Sequence, residues 1–308
     1  MSSPLGPRPR LAAVQLPGCS GHAETDVACA AAGVRDAARQ GADLILLPEL
    51  ATLPYFCAEP AGSYRDRAET MPGPLIDRFA GLAREFDVAI ALPFFEHDAI
   101  AGTWHNSVVL LAPDGTVVPA VDRLGGRRAV SRKLHLPVGD DPAPGFDETA
   151  HFTPGDGLGV HDLGGLRVGV LVCYDRRFPE CWRELRALGA QVVLVPMAGD
   201  GGDGGDFVVA ELRTHARENG LIVVAASKVG AEIVGGQRVG NVGESLVVGS
   251  DGTVLHSRHD ADGPGTVIAA VDISEQMAVR RRLRYFDHRR LDLFGGPTHV
   301  PSPKLELL

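Results

Sequence analysis

Two phrases recur at matching places in this chain: GADLILLP at 41–48 and GAQVVLVP at 189–196, each directly after a helical stretch. A second pair follows in the same order. NSVVLLAPDGTVV at 106–118 and ESLVVGSDGTVL at 244–255 both read as strand, Asp-Gly turn, strand. Two matched phrases in one order are hard to obtain by accident, so they point to a chain built from two related halves. Around them, 11–16, 43–47, 166–172 and 192–195 read as short apolar strands, while 25–40 and 179–188 read as helices. Gly41 ends the first of these helices. Strands apolar on both faces and separated by helices imply a sheet covered by helices on at least one side. The expected fold is α/β: one domain of two related α-β halves, packed sheet against sheet. With 308 residues, 44% of them apolar, the chain can bury that much core.

Charge and composition narrow the functions. Thirty Lys and Arg against 39 Asp and Glu give a net charge of −9, which argues against a nucleic-acid or anionic-membrane binder. No apolar run approaches the length of a membrane span. The first residues, MSSPLGPRPR, lack an apolar stretch, and five irregularly spaced cysteines fit reduced thiols, so a cytoplasmic location is expected. The histidines show no ligand spacing, and neither metal nor cofactor is expected.

Chemistry gathers at the carboxyl ends of strands in α/β sheets. Glu49 follows LILLP, Cys173 follows LRVGVLV, and Lys133 sits in SRKLHLP. A thiol, a carboxylate and an ammonium converging there can cleave an acyl carbon. The carboxylate takes the thiol proton, and the ammonium holds the oxyanion together with the Tyr174 backbone N–H. A helix start follows Cys173, with Pro179 and Glu180 in its first turn, and its partial positive charge should favour the thiolate. Taken by spacing alone, a buried structural cysteine and a capping glutamate remain the competing reading.

The motifs LLPEL at 46–50, SRKLHLP at 131–137, HFTPGDGLGV at 151–160 and VLVCYDRRFPE at 170–180 together resemble the nitrilase superfamily of carbon–nitrogen hydrolases. The resemblance runs over nearly the whole chain. It implies a four-layer α-β-β-α sandwich. It implies Glu49 as general base, Lys133 as oxyanion stabiliser, Cys173 as nucleophile, and Glu148 as the second glutamate that helps position substrate and lysine. On this basis 1–10 is expected to be a flexible segment, 11–279 the hydrolase domain, and 280–308 a tail packing on a partner subunit of a homodimer or homotetramer.

Arg176 and Arg177 follow the nucleophile closely, and an arginine fork suits a substrate carboxylate. Alternatively, one of them pairs with Asp175, Glu180 or Glu184. The string Cys-x-Asp-Arg-Arg-aromatic-Pro-Glu is similar to that of N-carbamoyl-D-amino-acid amidohydrolases, and His135 matches a substrate-site histidine of that branch. Tyr174 and Ala198 depart from it, each standing where that branch has Asn. The expected reaction is hydrolysis of an N-carbamoyl amino acid to amino acid, carbon dioxide and ammonia. An ω-amidase-like or aliphatic amidase is the alternative, with a nitrilase third and a catalytically retired scaffold last. The string GDGGDGGD at 199–206 is expected to be a glycine-rich lid rather than a calcium site, which would need repeats. Cys57 is expected near the pocket, and Cys181 to be a buried thiol.

Overall fold

The computed structural model describes Gly6 and residues 8–139, 146–199 and 204–294. Its two halves have the same strand plan. In the first, Gly265–Ala270, Arg10–Pro17, Leu44–Leu46, Ala89–Asp98, Thr103–Leu111 and Val130–Arg132 lie side by side. Successive pairings are antiparallel, parallel, parallel, antiparallel, antiparallel. In the second, Val160–Leu163, Leu166–Val170, Val192–Met197, Ile222–Val234, Ser245–Val248 and Val254–Arg258 repeat that series of pairings. The recurring phrases occupy equivalent places: the middle strand of each parallel triplet, and the antiparallel strand beside it. The halves join where Leu16 and Pro17 pair with Lys228 and Val229.

Alternation along the strands builds the layers. Leu11, Ala13, Leu44 and Leu46 of the first sheet meet Val168, Val170, Val192 and Leu194 of the second in one core between the sheets. Ala12, Val14, Ile45 and Ile90 face outward, onto the helices Ala23–Arg39 and Pro74–Phe86. On the other side Val193, Val195 and Val223 pack under the helices Pro179–Ala187 and Gly204–Asn219. The result is the expected α-β-β-α sandwich. Continuous apolar strands are required because both faces of each sheet are buried.

The structure bears on four local expectations. The first Asp-Gly phrase makes only half a hairpin: beyond the turn a single bridge joins Leu111 to Val117, and Ala120–Val121 then pairs with Val160–Leu163 of the other half. The chain must cross between sheets there, which ends its pairing with the first. At the start, residues 1–5 and 7 lie outside the described residues, whereas Arg10 already pairs with Ala270 and Arg8 bonds Asp272. In the glycine-rich string, 200–203 lie outside the described residues, and 204–206 open the helix Gly204–Asn219. Of the expected tail, 280–283 complete the helix Ile273–Leu283, and 295–308 lie outside the described residues. Among the described residues no helix is long and apolar enough to cross a membrane.

The inter-sheet core should carry the stability. Leu194→Ala is expected to lower the unfolding free energy by about 2–5 kcal/mol in urea titrations. Leu124→Ala, at a side chain 94% exposed, should change it by less than about 0.5 kcal/mol.

Candidate active site

The parallel strands of both halves end at one place. Two residues there adopt the left-handed backbone region that side chains disfavour: Leu50, directly after Glu49, at φ 46°, and Cys173 at φ 48°. Such strain, about 1–3 kcal/mol per residue, persists only where the surroundings over-determine it. At Cys173 the chain leaves its strand, makes the short 3₁₀ turn Cys173–Arg177 and enters the helix Pro179–Ala187. Pro179 holds the first helical position, where its missing N–H costs nothing.

Lys133 is buried, and its Nζ donates to Glu49 Oε1 at 2.8 Å and to Glu148 Oε1 at 2.6 Å. Both glutamates are fully buried. Each has further donors. Glu49 accepts from Asn106 Nδ2 at 2.7 Å and, on Oε2, from the Ala198 N–H at 3.0 Å. Glu148 Oε1 also accepts from the Tyr55 hydroxyl at 2.5 Å, while its Oε2 has no partner among the described residues. Burial alone would lower the Lys133 pKa, but the two carboxylates outweigh it and hold the ammonium well above its ordinary range. Glu148 is pushed up to about 7, chiefly by burial, against the pull of Lys133.

The half-buried Cys173 thiol donates to the Ala198 carbonyl at 3.6 Å. Burial opposes any gain the thiol has from the helix start. Burial, then the Glu49 charge, push the thiol up to about 12, beyond what Lys133 and Arg176 restore. A thiol held so high is neutral near pH 7 and ionises only with a base. Ala198 touches both partners, its N–H on Glu49 and its carbonyl on Cys173.

Asp175 ties the lysine segment to the cysteine segment. Its buried carboxylate accepts from the backbone N–H groups of Leu134, His135 and Val172, at 3.2, 2.9 and 3.3 Å, and from His135 Nδ1 at 2.8 Å. His135 stacks on Phe178, with ring centroids 3.6 Å apart, and Tyr174 meets the same ring edge-on. Arg177 lies over Tyr174, 5.5 Å from its ring centre. Arg176 differs from the reading as a carboxylate clamp. It is buried, its Nε lies 2.9 Å from Glu211 Oε2, and another guanidinium nitrogen donates to the Cys173 carbonyl at 3.1 Å. It pairs inside the protein and braces the Cys173 turn.

Glu49, Lys133, Glu148 and Cys173 are thus brought together, with His135, Tyr174 and Arg177 forming a stacked rim. Asn106, Tyr55, Asp175 and the Ala198 amide were not singled out from the sequence; only the strand NSVVLL, matched in the repeat, hinted at Asn106. Cys57 is buried nearby, its thiol raised by burial and by Glu148. Cys181 is a buried free thiol. Among the described residues no cluster of His, Cys, Asp or Glu is arranged to hold a metal.

A buried Glu–Lys–Glu cluster beside a cysteine on a strained turn, on a duplicated α-β-β-α sandwich, defines a thiol amidohydrolase. The carbon–nitrogen hydrolase family model matches residues 10–281, and the chain belongs to that family, within the nitrilase superfamily. It is 32% identical to the N-carbamoylputrescine amidase of Solanum lycopersicum, over 92% of this chain and 93% of that protein. A carbon–nitrogen hydrolase from Helicobacter pylori superposes with a TM-score of 0.77 at 27% identity, covering 94% of this chain and 97% of that one. A mutant of an amidase from Nesterenkonia sp. AN1 superposes at 0.71 with 26% identity, covering 93% and 95% of the two chains. That structure shows the acetamide moiety of fluoroacetamide added covalently at the active-site cysteine.

The raised thiol is directly measurable. The thiolate ultraviolet absorbance of the wild type minus that of Cys173→Ala should stay flat to about pH 10, where an ordinary thiol has already ionised with a midpoint near 8.5. A sigmoid centred in the ordinary thiol range would contradict a neutral resting nucleophile.

Proposed function

We propose that this protein hydrolyses the terminal carbamoyl or carboxamide group of a small linear substrate, with N-carbamoyl compounds ahead of simple amides. The observation that carries the reading is the Lys133 ammonium held between Glu49 and Glu148 beside the Cys173 turn. Glu49 takes the thiol proton as Sγ attacks the acyl carbon, which supplies the base that a thiol raised to about 12 needs. Lys133 Nζ and the Tyr174 N–H hold the oxyanion. The tetrahedral adduct expels ammonia, which leaves with the proton Glu49 received. Water, deprotonated by the same glutamate, then attacks the acyl- or carbamoyl-cysteine and frees the thiol. A carbamic acid product decomposes to the amine and carbon dioxide.

The unpartnered Glu148 Oε2 favours a substrate ending in NH₂. A buried acceptor without a donor is costly, and an amide N–H supplies one. A nitrile has no N–H to offer, which ranks nitrile hydrolysis third. The similarity to the tomato N-carbamoylputrescine amidase supports the carbamoyl reading, and that to the Nesterenkonia amidase supports the amide alternative. A homo-oligomer belongs to the same proposal.

Ammonia release from N-carbamoyl amino acids of both chiralities, N-carbamoyl amines, ω-amides and nitriles tests the order. Turnover is expected to be greatest for the carbamoyl compounds and least for nitriles, and a nitrile as the best substrate would overturn it. Cys173→Ala should lower ammonia release at least about 10³-fold without changing the melting temperature. Release at the native rate would exclude the thiol mechanism.

A further inference from the structure

The peptide after Ala198 is held by a residue that the mechanism above does not use. Gly199 turns the chain at φ 75°, in the left-handed region open to glycine. Its N–H donates to Asn241 Oδ1 at 2.9 Å, and its carbonyl accepts from the Val242 N–H at 3.4 Å. Asn241 lies on the strand Gln237–Val242, which pairs with the far half of Ile222–Val234. That scaffold is pinned by a second buried ion pair. Lys228 Nζ donates to Glu232 at 2.8 Å and to the Leu53 carbonyl at 2.6 Å, and Glu232 accepts from the backbone of Cys19 and Tyr55.

Asn241 is 7% exposed, and its Nδ2 has no hydrogen-bond partner among the described residues. Its orientation is fixed, because only the carbonyl oxygen of the carboxamide can accept from Gly199. The group left over is therefore a donor. A buried N–H without a partner costs about 1–3 kcal/mol, so the site calls for an acceptor. Its location says which acceptor. Gly199 adjoins Ala198, whose carbonyl meets the Cys173 thiol at 3.6 Å and whose N–H meets Glu49 at 3.0 Å. Asn241 therefore stands one peptide beyond the one that touches both Cys173 and Glu49.

We propose that Asn241 is a substrate-binding residue whose Nδ2 donates to an oxygen at the end of the substrate remote from the scissile bond. This rests on the carbamoyl-or-carboxamide reading and sharpens it. A fixed N–H donor accepts a carboxylate or carbonyl oxygen and rejects an ammonium. The class selected is N-carbamoyl amino acids and ω-carboxamido acids, ahead of N-carbamoyl amines.

The test compares kcat/KM for an N-carbamoyl amino acid and for succinamate with that for propionamide, which has no oxygen beyond its scissile carbonyl. Asn241→Asp keeps the acceptor for Gly199 and removes the donor; Asn241→Leu removes both. Both variants should lower the selectivity for the carboxylate substrates over propionamide at least about tenfold, with KM carrying the change. Selectivity within about threefold of wild type in Asn241→Asp would show a purely structural residue and overturn the proposal. Should Asn241→Leu fail to fold, Asn241→Asp decides alone. If the wild type turns over succinamate but no carbamoyl compound, the carbamoyl preference fails while succinamate still tests Asn241.

Discussion

The site rests on one buried ammonium. Lys133 lies out of water, and a lone charge there would be driven to neutrality by the cost of desolvation. Two carboxylates within 2.8 Å keep it charged, and it in turn keeps two buried glutamates close together. The three groups carry one net negative charge when all are ionised, which is spread over Asn106, Tyr55 and the Ala198 N–H. Burial first, and then the Glu49 charge, push the neighbouring Cys173 thiol upward, while Lys133 pulls it down. In the proposed mechanism nucleophile and base act as a unit, the proton moving as the bond forms.

Such a cluster needs rigid delivery from distant parts of the sequence. Glu49 and Cys173 end strands in different halves, and Lys133 follows the edge strand Val130–Arg132. The duplicated plan brings the carboxyl ends of both parallel triplets to one mouth. Asp175 then binds the lysine and cysteine segments with four N–H donors, and Arg176 braces the turn from beneath. Strain at Cys173 is tolerated because these long-range bonds fix its turn.

Much of this was legible in the sequence because it is local. The matched phrases predict two halves, and the residues after LILLP and LRVGVLV mark the strand ends where the base and the nucleophile sit. Glu148 came from resemblance alone, since no pattern announces a glutamate on a short 3₁₀ turn. What escaped was set by partners far away in the chain. Arg176 looked available beside the nucleophile, but Glu211, 35 residues on, meets it. The sequence shows the helix start after the thiol, but not the burial and the Glu49 carboxylate that push it up. Asn106, Asp175 and Asn241 are ordinary polar residues whose meaning lies in what folding places against them.

If the ammonium organises the site, Glu148 acts through Lys133, and the two cannot contribute independently. Steady-state ammonia release by Lys133→Met, Glu148→Gln and the double variant measures this coupling directly, with circular dichroism confirming the fold. Each single change should lower kcat/KM by about 10²-fold or more, and the double variant should be no more than about threefold worse than Lys133→Met. Losses that multiply in the double variant would show two separate contributions and contradict the account.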